Sequence, residues 1–410
     1  LSFVIKFGTN VPKASLDAFI YMIPMITVSY ITFMFVFGLD NILKKNISEI
    51  IYSIFLATIC LLAATSFIAF FLQKFDYPRT VLLISCIPEF IALSVWRFIV
   101  WRLEKKAHGI MDCLIVGNSA AEDLTQKIIL KQKDLYKVKY ICNSKNTNIN
   151  QYLNKVKVIF ISSDVESSIR HKLINKCIAE SKSVYLVPSS YELMLLKSKL
   201  HRADDTPLLK IRTLGLTVEQ RVMKRSLDIF VASVGLIITA PIMLIISVLL
   251  KLVDGGNILF GQERVTKGKQ IFKVLKFRTM VMNAEKLTGP VFAGEDDPRI
   301  TKIGRVLRAT RLDELPQFLN ILKGDMSIVG PRPERPFFVE KFEREVDDYK
   351  YRTVVKAGLT GFAQIYGKYN TTAEDKSRYD LFYIKNYSTF LDLKLILLTV
   401  KIMFMKSSTE

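Results

Sequence analysis

One stretch of the chain, "RLDELPQFLNILKGDMSIVGPRP" at 311–333, joins an acid pair, Asp313 and Glu314, to basic residues. Arginines make bidentate contacts to phosphate, and one or two carboxylates hold Mg²⁺ together with substrate phosphates. Positioning and charge neutralisation do most of the catalysis in phosphoryl transfer. The combination therefore favours that chemistry, with Mg²⁺ as cofactor. The basic residues that accompany the pair are Lys276, Arg278, Arg305, Arg308, Arg311 and Arg332.

Each of these residues also has a structural interpretation. Asp313, placed before "ELPQFLNIL", is a good N-cap for a helix, and acids are common in a first helical turn. The arginines are equally compatible with a solvated cationic face against lipid headgroups, and Pro331-Arg332-Pro333 with a rigid turn. The sequence leaves these alternatives open one by one, and only their combination favours a reactive site.

The types of nucleophile are restricted by composition. The only histidines are His108, His171 and His201, and no cysteine or histidine follows position 201. Covalent chemistry in the distal half therefore needs a carboxylate, a hydroxyl or a lysine. The chain has no G-x-x-x-x-G-K-[ST] loop, so ATP hydrolysis is not indicated.

The charge balance predicts an anionic partner. Lys plus Arg number 58 against 38 Asp plus Glu, a net charge of +20. Anionic lipid and phosphorylated substrates suit this excess. We expect no nucleic-acid partner, because the sequence has no nucleic-acid-binding signature. The five cysteines form neither a disulfide framework nor a CxxC motif, which is typical of a reducing compartment or of lipid.

Three apolar stretches, at 16–39, 50–72 and 81–101, are each long enough to cross a bilayer. They predict an α-helical transmembrane bundle over 1–106. Arg102, Lys105 and Lys106 follow the last stretch and favour a cytoplasmic position for the part that comes next.

Strand-like and helix-like segments alternate over 107–210 and predict a small parallel α/β domain. Its first turn carries only one glycine of the dinucleotide fingerprint, Gly117, and lacks the later ones that allow close approach to a pyrophosphate. We therefore expect a degenerate Rossmann-like domain with a structural or regulatory role.

A fourth apolar run, over 222–254, has Pro241 near its middle. Proline removes a helix hydrogen bond and bends the segment. Lys224 and Arg225 precede the run and Lys251 follows it, so cations at both ends favour a bent, re-entrant helix over a span. We expect the helix break at Pro241, and a mixed α/β domain over 255–410. Within that domain we predict an amphipathic helix after Pro336 and an interfacial or core helix at the end.

Several motifs resemble one family when they are taken in order: "KRSLDI", "KFRTM", "DDPRITKIGRVLR", "LDELPQFLNILKGDMSIVGPRP" and "AGLTGFAQIYG". They look like the bacterial sugar transferases called monotopic polyprenyl-phosphate phosphoglycosyl transferases, over essentially all of 222–405. The upstream spans resemble the long branch of that family, typified by undecaprenyl-phosphate galactose phosphotransferase. That branch has four N-terminal spans, so we expect one further span upstream of Leu1.

The resemblance implies transfer of a sugar-1-phosphate from a UDP-sugar to undecaprenyl phosphate, with release of UMP. It is the first membrane step of exopolysaccharide, capsule, O-antigen or glycoprotein glycan assembly. Asp313 matches the nucleophile that forms a covalent phosphosugar intermediate, and Glu314 matches the carboxylate that helps to bind Mg²⁺. The positions that match basic residues near the substrate phosphates are Lys276, Arg278, Arg308 and Arg332.

The resemblance also implies a catalytic domain at 255–410 on the cytoplasmic face of the bacterial inner membrane, with membrane lipid as a partner and a homodimer as the assembly. The family often has serine before the helix-breaking proline, where this chain has Ala240. Two other functions stay open: a non-catalytic assembly protein that binds lipid or UDP-sugar, and a Mg²⁺-dependent phosphohydrolase with water as acceptor.

Overall fold

The chain divides into two compact units, Leu1–Ser189 and Ser190–Glu410, each with hydrophobic clusters of its own. The structure is a computed structural model, and it describes residues 2–73, 76–144, 149–281, 297–368 and 371–404.

The first unit begins with helices that fit a membrane bundle. They are α1 (Ser2–Phe7), α2 (Lys13–Val36), α3 (Ile47–Phe71) and α4 (Arg79–His108). Helix α3 packs against both α2 and α4. Hydroxyl groups in α3 donate to the carbonyl one turn earlier, as Thr65 does to Leu61 at 2.7 Å, so they need no other partner in an apolar setting. The predicted stretches therefore form helices, close to the predicted bounds.

Among the described residues, four helices are long and apolar enough to cross a membrane. They are Lys13–Val36, Ile47–Phe71, Arg79–His108 and Val218–Val253.

A parallel four-stranded sheet follows α4 in the first unit, in the order β2-β1-β3-β4. Strands β1 and β3 are central and read as continuous apolar runs because both of their faces are covered. The edge strand β2 was not predicted, because its polar and apolar residues alternate instead of forming a continuous apolar run. The elements are β1 (Met111–Val116), α5 (Ala120–Lys131), β2 (Tyr136–Cys142), α6 (Ile149–Leu153), β3 (Val158–Ile161), α7 (Ser167–Ala179) and β4 (Ser183–Leu186).

The turn between β1 and α5 is closed by a carboxylate of the protein. The backbone amides of Asn118 and Ala120 donate to the Asp164 carboxylate at 3.1 and 3.0 Å. A Cβ on Gly117 would lie 2.6 Å from the Cβ of Ser162, so only glycine fits this crossing. Asp164 therefore takes the amides at the start of α5 that a pyrophosphate contacts in dinucleotide-binding domains.

The second unit contains α8 (Ser190–Leu195), the hairpin β5 (Lys199–Ala203) and β6 (Thr206–Lys210), and the long helix α9 (Val218–Leu249). Residues 190–210, predicted to close the α/β domain, thus lie in this unit. The other elements are β7 (Leu259–Val265), β8 (Ile271–Phe277), α10 (Lys302–Ala309), α11 (Gln317–Lys323), β9 (Ser327–Val329), α12 (Pro336–Glu345), β10 (Gly358–Thr360), α13 (Phe362–Tyr366), α14 (Ala373–Asn386) and α15 (Thr389–Phe404).

Helix α9 is tied to the second unit near its beginning by buried polar contacts. Lys224 donates to Asp392 at 2.7 Å and to the Tyr383 hydroxyl at 3.1 Å. One turn later, the Asp228 carboxylate accepts from the Ser327 hydroxyl at 2.8 Å. Charged groups are retained in a protein interior when they are paired in this way. These contacts hold the first part of α9 against β9, α14 and α15.

The later part of α9 also packs against other elements of the second unit. Ile246 and Leu250 are buried in a cluster with Phe277 and Leu307. A single helix includes Pro241, so the helical backbone is not interrupted there, and the bend and the re-entrant course stay predictions. What the structure adds is that both parts of α9 contact one compact unit.

The C-terminal elements complete this core. The predicted amphipathic helix is shorter than its pattern: α12 ends at Glu345, and a separate turn of 3₁₀ helix, Tyr349–Val354, follows. The last helix, α15, buries Leu395 in the cluster that contains Ala232 of α9. It therefore serves as a core helix, one of the two roles predicted for it.

Candidate active site

The acid pair lies in a short turn between two helices. Helix α10 ends at Ala309, and Arg311 then takes a left-handed backbone conformation, with φ +56° and ψ +17°. A single turn of 3₁₀ helix, Leu312–Glu314, follows. Non-glycine residues in this conformation carry backbone strain that the surrounding structure must hold in place. The reversal at Arg311 places the two carboxylates on a turn of their own.

Asp313 is not the N-cap of the next helix. Pro316 occupies the N-cap position of α11, and no side chain caps it. The capping interpretation is therefore wrong, because the acid pair lies on its own 3₁₀ turn and Leu315 and Pro316 separate it from α11. Asp313 is also buried, with 7% of its surface exposed, which is unusual for a capping residue at a surface.

Two basic side chains converge on the acid pair from elements that are distant in sequence. Lys276, on β8, has its Nζ 2.6 Å from Glu314 Oε1 and 3.9 Å from Asp313 Oδ2. Arg332, which follows β9, reaches Glu314 Oε1 at 3.5 Å, and half of its side chain is exposed. The structure thus brings Asp313, Glu314, Lys276 and Arg332 together, and their chemical roles stay predictions.

Glu314 is held as a carboxylate. Burial raises the pKa of Glu314, but the charges of Lys276 and Arg332 and the hydrogen bond from Lys276 outweigh burial and bring it to about 2. Reciprocally, Glu314 raises the pKa of Arg332. Glu314 is therefore ionised at neutral pH, and among the described residues only its Oε1 accepts a hydrogen bond.

Asp313 has the opposite character. Burial is the largest influence and raises the pKa of Asp313 above its ordinary value, with the Glu314 charge adding to the increase. Lys276 and Arg308 act in the other direction. Two adjacent carboxylates with pKa values moved apart are typical of sites in which each carries a separate role.

The remaining predicted basic residues lie around this centre in different ways. Arg308 Nε donates to the Thr279 hydroxyl at 2.9 Å, which fixes the guanidinium within electrostatic range of Asp313. Arg278 is buried and donates to the carbonyl of Gly255. Its Nε and Nη1 have no partner among the described residues, and in that part of the chain it makes no ion pair with the acids. Arg278 thus has two unused donors, and no described contact joins it to Asp313 or Glu314.

The structure also reveals residues that sequence reasoning missed. Arg352 donates to the carbonyl of Arg332, and Arg264 donates to the carbonyl of the next residue, Pro333. Asp380 in turn accepts from Arg352. Arg352 and Asp380 lie 28 positions apart, so neither helical nor strand periodicity connects them. Burial of a charged pair is the only signal, and it becomes visible in the tertiary structure.

Comparison with known proteins defines the class. The sequence pattern of the family described as "Bacterial sugar transferase" matches residues 219–406, which contain every residue of the site. A relative from Sinorhizobium fredii, the exopolysaccharide production protein ExoY, is 37% identical over 193 residues, which is 44% of this chain and 84% of that protein. The chain belongs to the bacterial sugar transferase family, and the resemblance drawn from its motifs is confirmed.

Two other relatives have names that state a reaction. UDP-N-acetylgalactosamine-undecaprenyl-phosphate N-acetylgalactosaminephosphotransferase of Aeromonas hydrophila is 44% identical over 182 residues, covering 44% of this chain and 43% of that protein. UDP-glucose:undecaprenyl-phosphate glucose-1-phosphate transferase of Escherichia coli K12 is 37% identical over 235 residues, covering 56% of this chain and 50% of that protein. The chain spans about half the length of these two relatives.

Proposed function

We propose that the protein transfers a sugar-1-phosphate from a UDP-sugar to undecaprenyl phosphate and releases UMP. The observation that carries the proposal is a buried Asp313 beside an ionised Glu314 that Lys276 and Arg332 hold. The reactions named for the two relatives support the substrate classes.

In the first step, a carboxylate oxygen of Asp313 attacks the phosphorus that bears the sugar. An Asp–O–P bond forms, the anhydride bond between the two phosphorus atoms breaks, and its electron pair leaves with UMP. Burial favours this role because a carboxylate that has lost its water shell needs no further desolvation to react. Lys276, 3.9 Å from Asp313, favours the ionised form that attacks.

In the second step, a phosphate oxygen of undecaprenyl phosphate attacks the same phosphorus. The new P–O–P bond replaces the Asp–O–P bond, so the Asp313 carboxylate is regenerated and undecaprenyl-diphosphate-sugar leaves. One phosphoanhydride replaces another over the two steps, and no nucleotide hydrolysis is required.

The charged side chains neutralise the phosphates. Arg332 is half exposed and still within 3.5 Å of Glu314, so its remaining donors are available to a diphosphate. Arg308 supplies a second guanidinium near Asp313. Arg278, with two buried donors that no described residue accepts, is a further group for a phosphate oxygen.

The residues present fit Mg²⁺ as a cofactor. Glu314 is ionised, and its Oε2 accepts no hydrogen bond among the described residues, so one hard oxygen donor is available beside Asp313. The described residues contain no cluster of three or more potential metal ligands, which suits a metal that relies on one or two carboxylates and on substrate phosphates. When bound, Mg²⁺ would neutralise charge that develops on the departing phosphate.

The packing of α9 supports a site at headgroup depth; the cytoplasmic face of the bacterial inner membrane is proposed from the basic residues after α4 and from the family. A helix that crosses a bilayer has its two ends on opposite sides of the membrane. In α9, by contrast, Lys224 and Asp228 near the beginning and Ile246 near the end all contact the second unit. Leu250, just after the helix, is buried in the same cluster as Ile246. Between these contacts α9 exposes large apolar side chains such as Ile237 and Ile238, at 75% and 68%. This arrangement supports contact between an apolar surface of the catalytic unit and lipid, where undecaprenyl phosphate resides.

The test measures UMP release and lipid-linked sugar with the protein in vesicles, Mg²⁺, undecaprenyl phosphate and a panel of labelled UDP-sugars. We expect both products with at least one sugar. Asp313→Asn should abolish both, together with the labelled adduct that trapping without lipid acceptor reveals by mass spectrometry. The matched control is Asp204→Asn, the same change in an exposed hairpin turn, which should leave all three readouts unchanged.

Each alternative function has its own outcome. UMP release at the wild-type rate by Asp313→Asn would refute the covalent mechanism. Free sugar phosphate in place of lipid-linked product would identify a phosphohydrolase, and binding without turnover would identify a non-catalytic protein.

A further inference from the structure

The segment that carries Arg332 has its main chain held at every carbonyl from 331 to 334. Two prolines, Pro331 and Pro333, flank Arg332, so these residues have a fixed φ and no amide hydrogen to donate. Their carbonyls are the only backbone groups that can anchor them. Pro331 accepts from the Gly358 amide at 2.9 Å, Arg332 from Arg352 Nη2 at 3.0 Å, Pro333 from Arg264 Nη1 at 3.1 Å, and Glu334 from the Val265 amide at 2.9 Å.

Arg352 is built into the interior behind this segment. Its side chain is 6% exposed, and its Nε donates to Asp380 Oδ2 at 2.9 Å, with Asp380 1% exposed. Nη1 contacts the Tyr349 hydroxyl, and the guanidinium carbon lies 4.6 Å from the centre of the Tyr349 ring. Two of the three guanidinium nitrogens are thus fixed by buried groups, and the third is directed at the carbonyl of Arg332.

A buried ion pair is poor evidence of added stability, because desolvation of both charges offsets their attraction. Its orientation is more informative. A guanidinium presents its donors in a rigid fork, so anchoring two nitrogens determines where the third must point. In this protein the third nitrogen, Nη2, donates to the carbonyl of Arg332, whose side chain lies 3.5 Å from Glu314.

We propose that Arg352 is a positioning residue for Arg332, an inference that rests on the proposed function. Anchored by Asp380 and Tyr349, it holds the carbonyl of Arg332 so that the side chain of Arg332 stays beside Glu314 and within reach of the substrate diphosphate. Arg264 supports the next carbonyl in the same way, with Glu334 Oε2 3.5 Å from its Nη1. Arg352 itself touches neither Asp313 nor Glu314 among the described contacts.

The test is a double-mutant cycle on UMP release. Arg352→Met alone leaves Asp380 buried without its cation and destabilises the fold, so the main variant is Arg352→Met with Asp380→Leu, which removes both charges together. We expect kcat to fall about 10- to 100-fold, because a displacement near 1 Å of a substrate-positioning group has effects of this order. Arg332→Ala should lose about 100- to 1,000-fold. The control Arg344→Met, on the exposed face of α12, should leave kcat unchanged.

The combined variant decides the inference. If Arg352 acts through Arg332, adding its loss to Arg332→Ala lowers kcat by no more than about twofold, since the interaction being positioned has already gone. Losses that multiply would overturn the proposal. A purely structural role predicts multiplication together with a lower melting temperature in both backgrounds.

A second readout does not depend on catalysis. Amide hydrogen exchange at Val265 and Gly358, whose amides donate to the carbonyls of Glu334 and Pro331, should accelerate in the Arg352/Asp380 variant and stay unchanged in Arg344→Met. Unchanged exchange in the former would overturn the proposal. A wild-type protein that exchanges as expected but releases no UMP would refute the proposed function and leave the positioning contact supported.

Discussion

Replacing Lys276 by methionine should remove the cation beside Glu314 and Asp313 and keep most of the length of the side chain. The pKa of Glu314 is about 2 against an ordinary 4.5, a difference worth ~3 kcal/mol in favour of the carboxylate. Lys276 makes the largest favourable contribution to that difference, at 2.6 Å from Glu314, and it also favours the ionised form of Asp313. If most of this stabilisation is expressed in the transition state, UMP release slows by about 100-fold.

The pH dependence of UMP release should also change in a definite direction. Asp313 attacks as a carboxylate, so activity falls as the pH drops through its pKa. Removing Lys276 raises the pKa of Asp313, because a cation that opposed burial has been lost. The acid limb of the rate profile should therefore move to higher pH.

The assay follows UMP release between about pH 5 and pH 9 for the wild type, Lys276→Met and Lys276→Arg. The control is Lys273→Met, the same change on an exposed position of the same strand. Arginine should restore part of the rate. A rate for Lys276→Met within threefold of the wild type, with an unmoved acid limb, would refute this account of the site.

Two further predictions concern the supporting structure. Lys224→Met should lower stability by about 3–5 kcal/mol, because it leaves the buried Asp392 carboxylate unpaired; thermal unfolding in detergent measures this, and Lys210→Met on the exposed hairpin is the control. Asp164→Asn should cost about 1 kcal/mol at neutral pH, since a charged acceptor for the α5 amides is lost. Burial raises the pKa of Asp164, but those amide hydrogen bonds bring it below its ordinary value. The difference between wild type and Asp164→Asn should therefore be complete above about pH 4 and disappear as the pH falls through the lowered pKa of Asp164. Equal acid unfolding curves for wild type and Asp164→Asn would contradict the prediction.

The long helix α9 illustrates how composition and packing answer different questions. An apolar run of this length predicts contact with lipid, and the charges at its two ends favour a re-entrant course. The structure shows that Asp228 and Ile246, which lie in its two halves, contact the same unit. Cysteine labelling near 226 and 252 from each side of the membrane tests the course directly, and labels on opposite sides would establish a span.

Several features were accessible from sequence because their signals are local. Apolar length alone predicted α2, α3 and α4, and strand–helix alternation predicted the parallel sheet that follows them. The acid pair was accessible for the same reason: Asp313 and Glu314 are adjacent, so no tertiary information is needed to place them together. The edge strand β2 was missed because two lysines interrupt its apolar residues, so it forms no continuous apolar run.

The strained turn at Arg311 shows where local reasoning fails. An acid before a helix-forming run predicts an N-cap, and nothing in the residue types at 311–316 indicates a left-handed residue. That conformation is held by the packing on both sides of the turn rather than by its own propensity. It is the reason that Asp313 is buried beside β8 instead of capping α11.

The sequence by itself therefore determined the helical and α/β regions, the family, and the residue types for phosphoryl chemistry, since these depend on composition, periodicity and contiguous motifs. Only the tertiary structure decided which charges meet. Lys276 reaches Glu314 across 38 positions, and Arg352 reaches the carbonyl of Arg332 across 20. Such contacts depend on which strands and turns become neighbours, and the pKa values of Asp313 and Glu314 diverge because burial and cations act on them unequally.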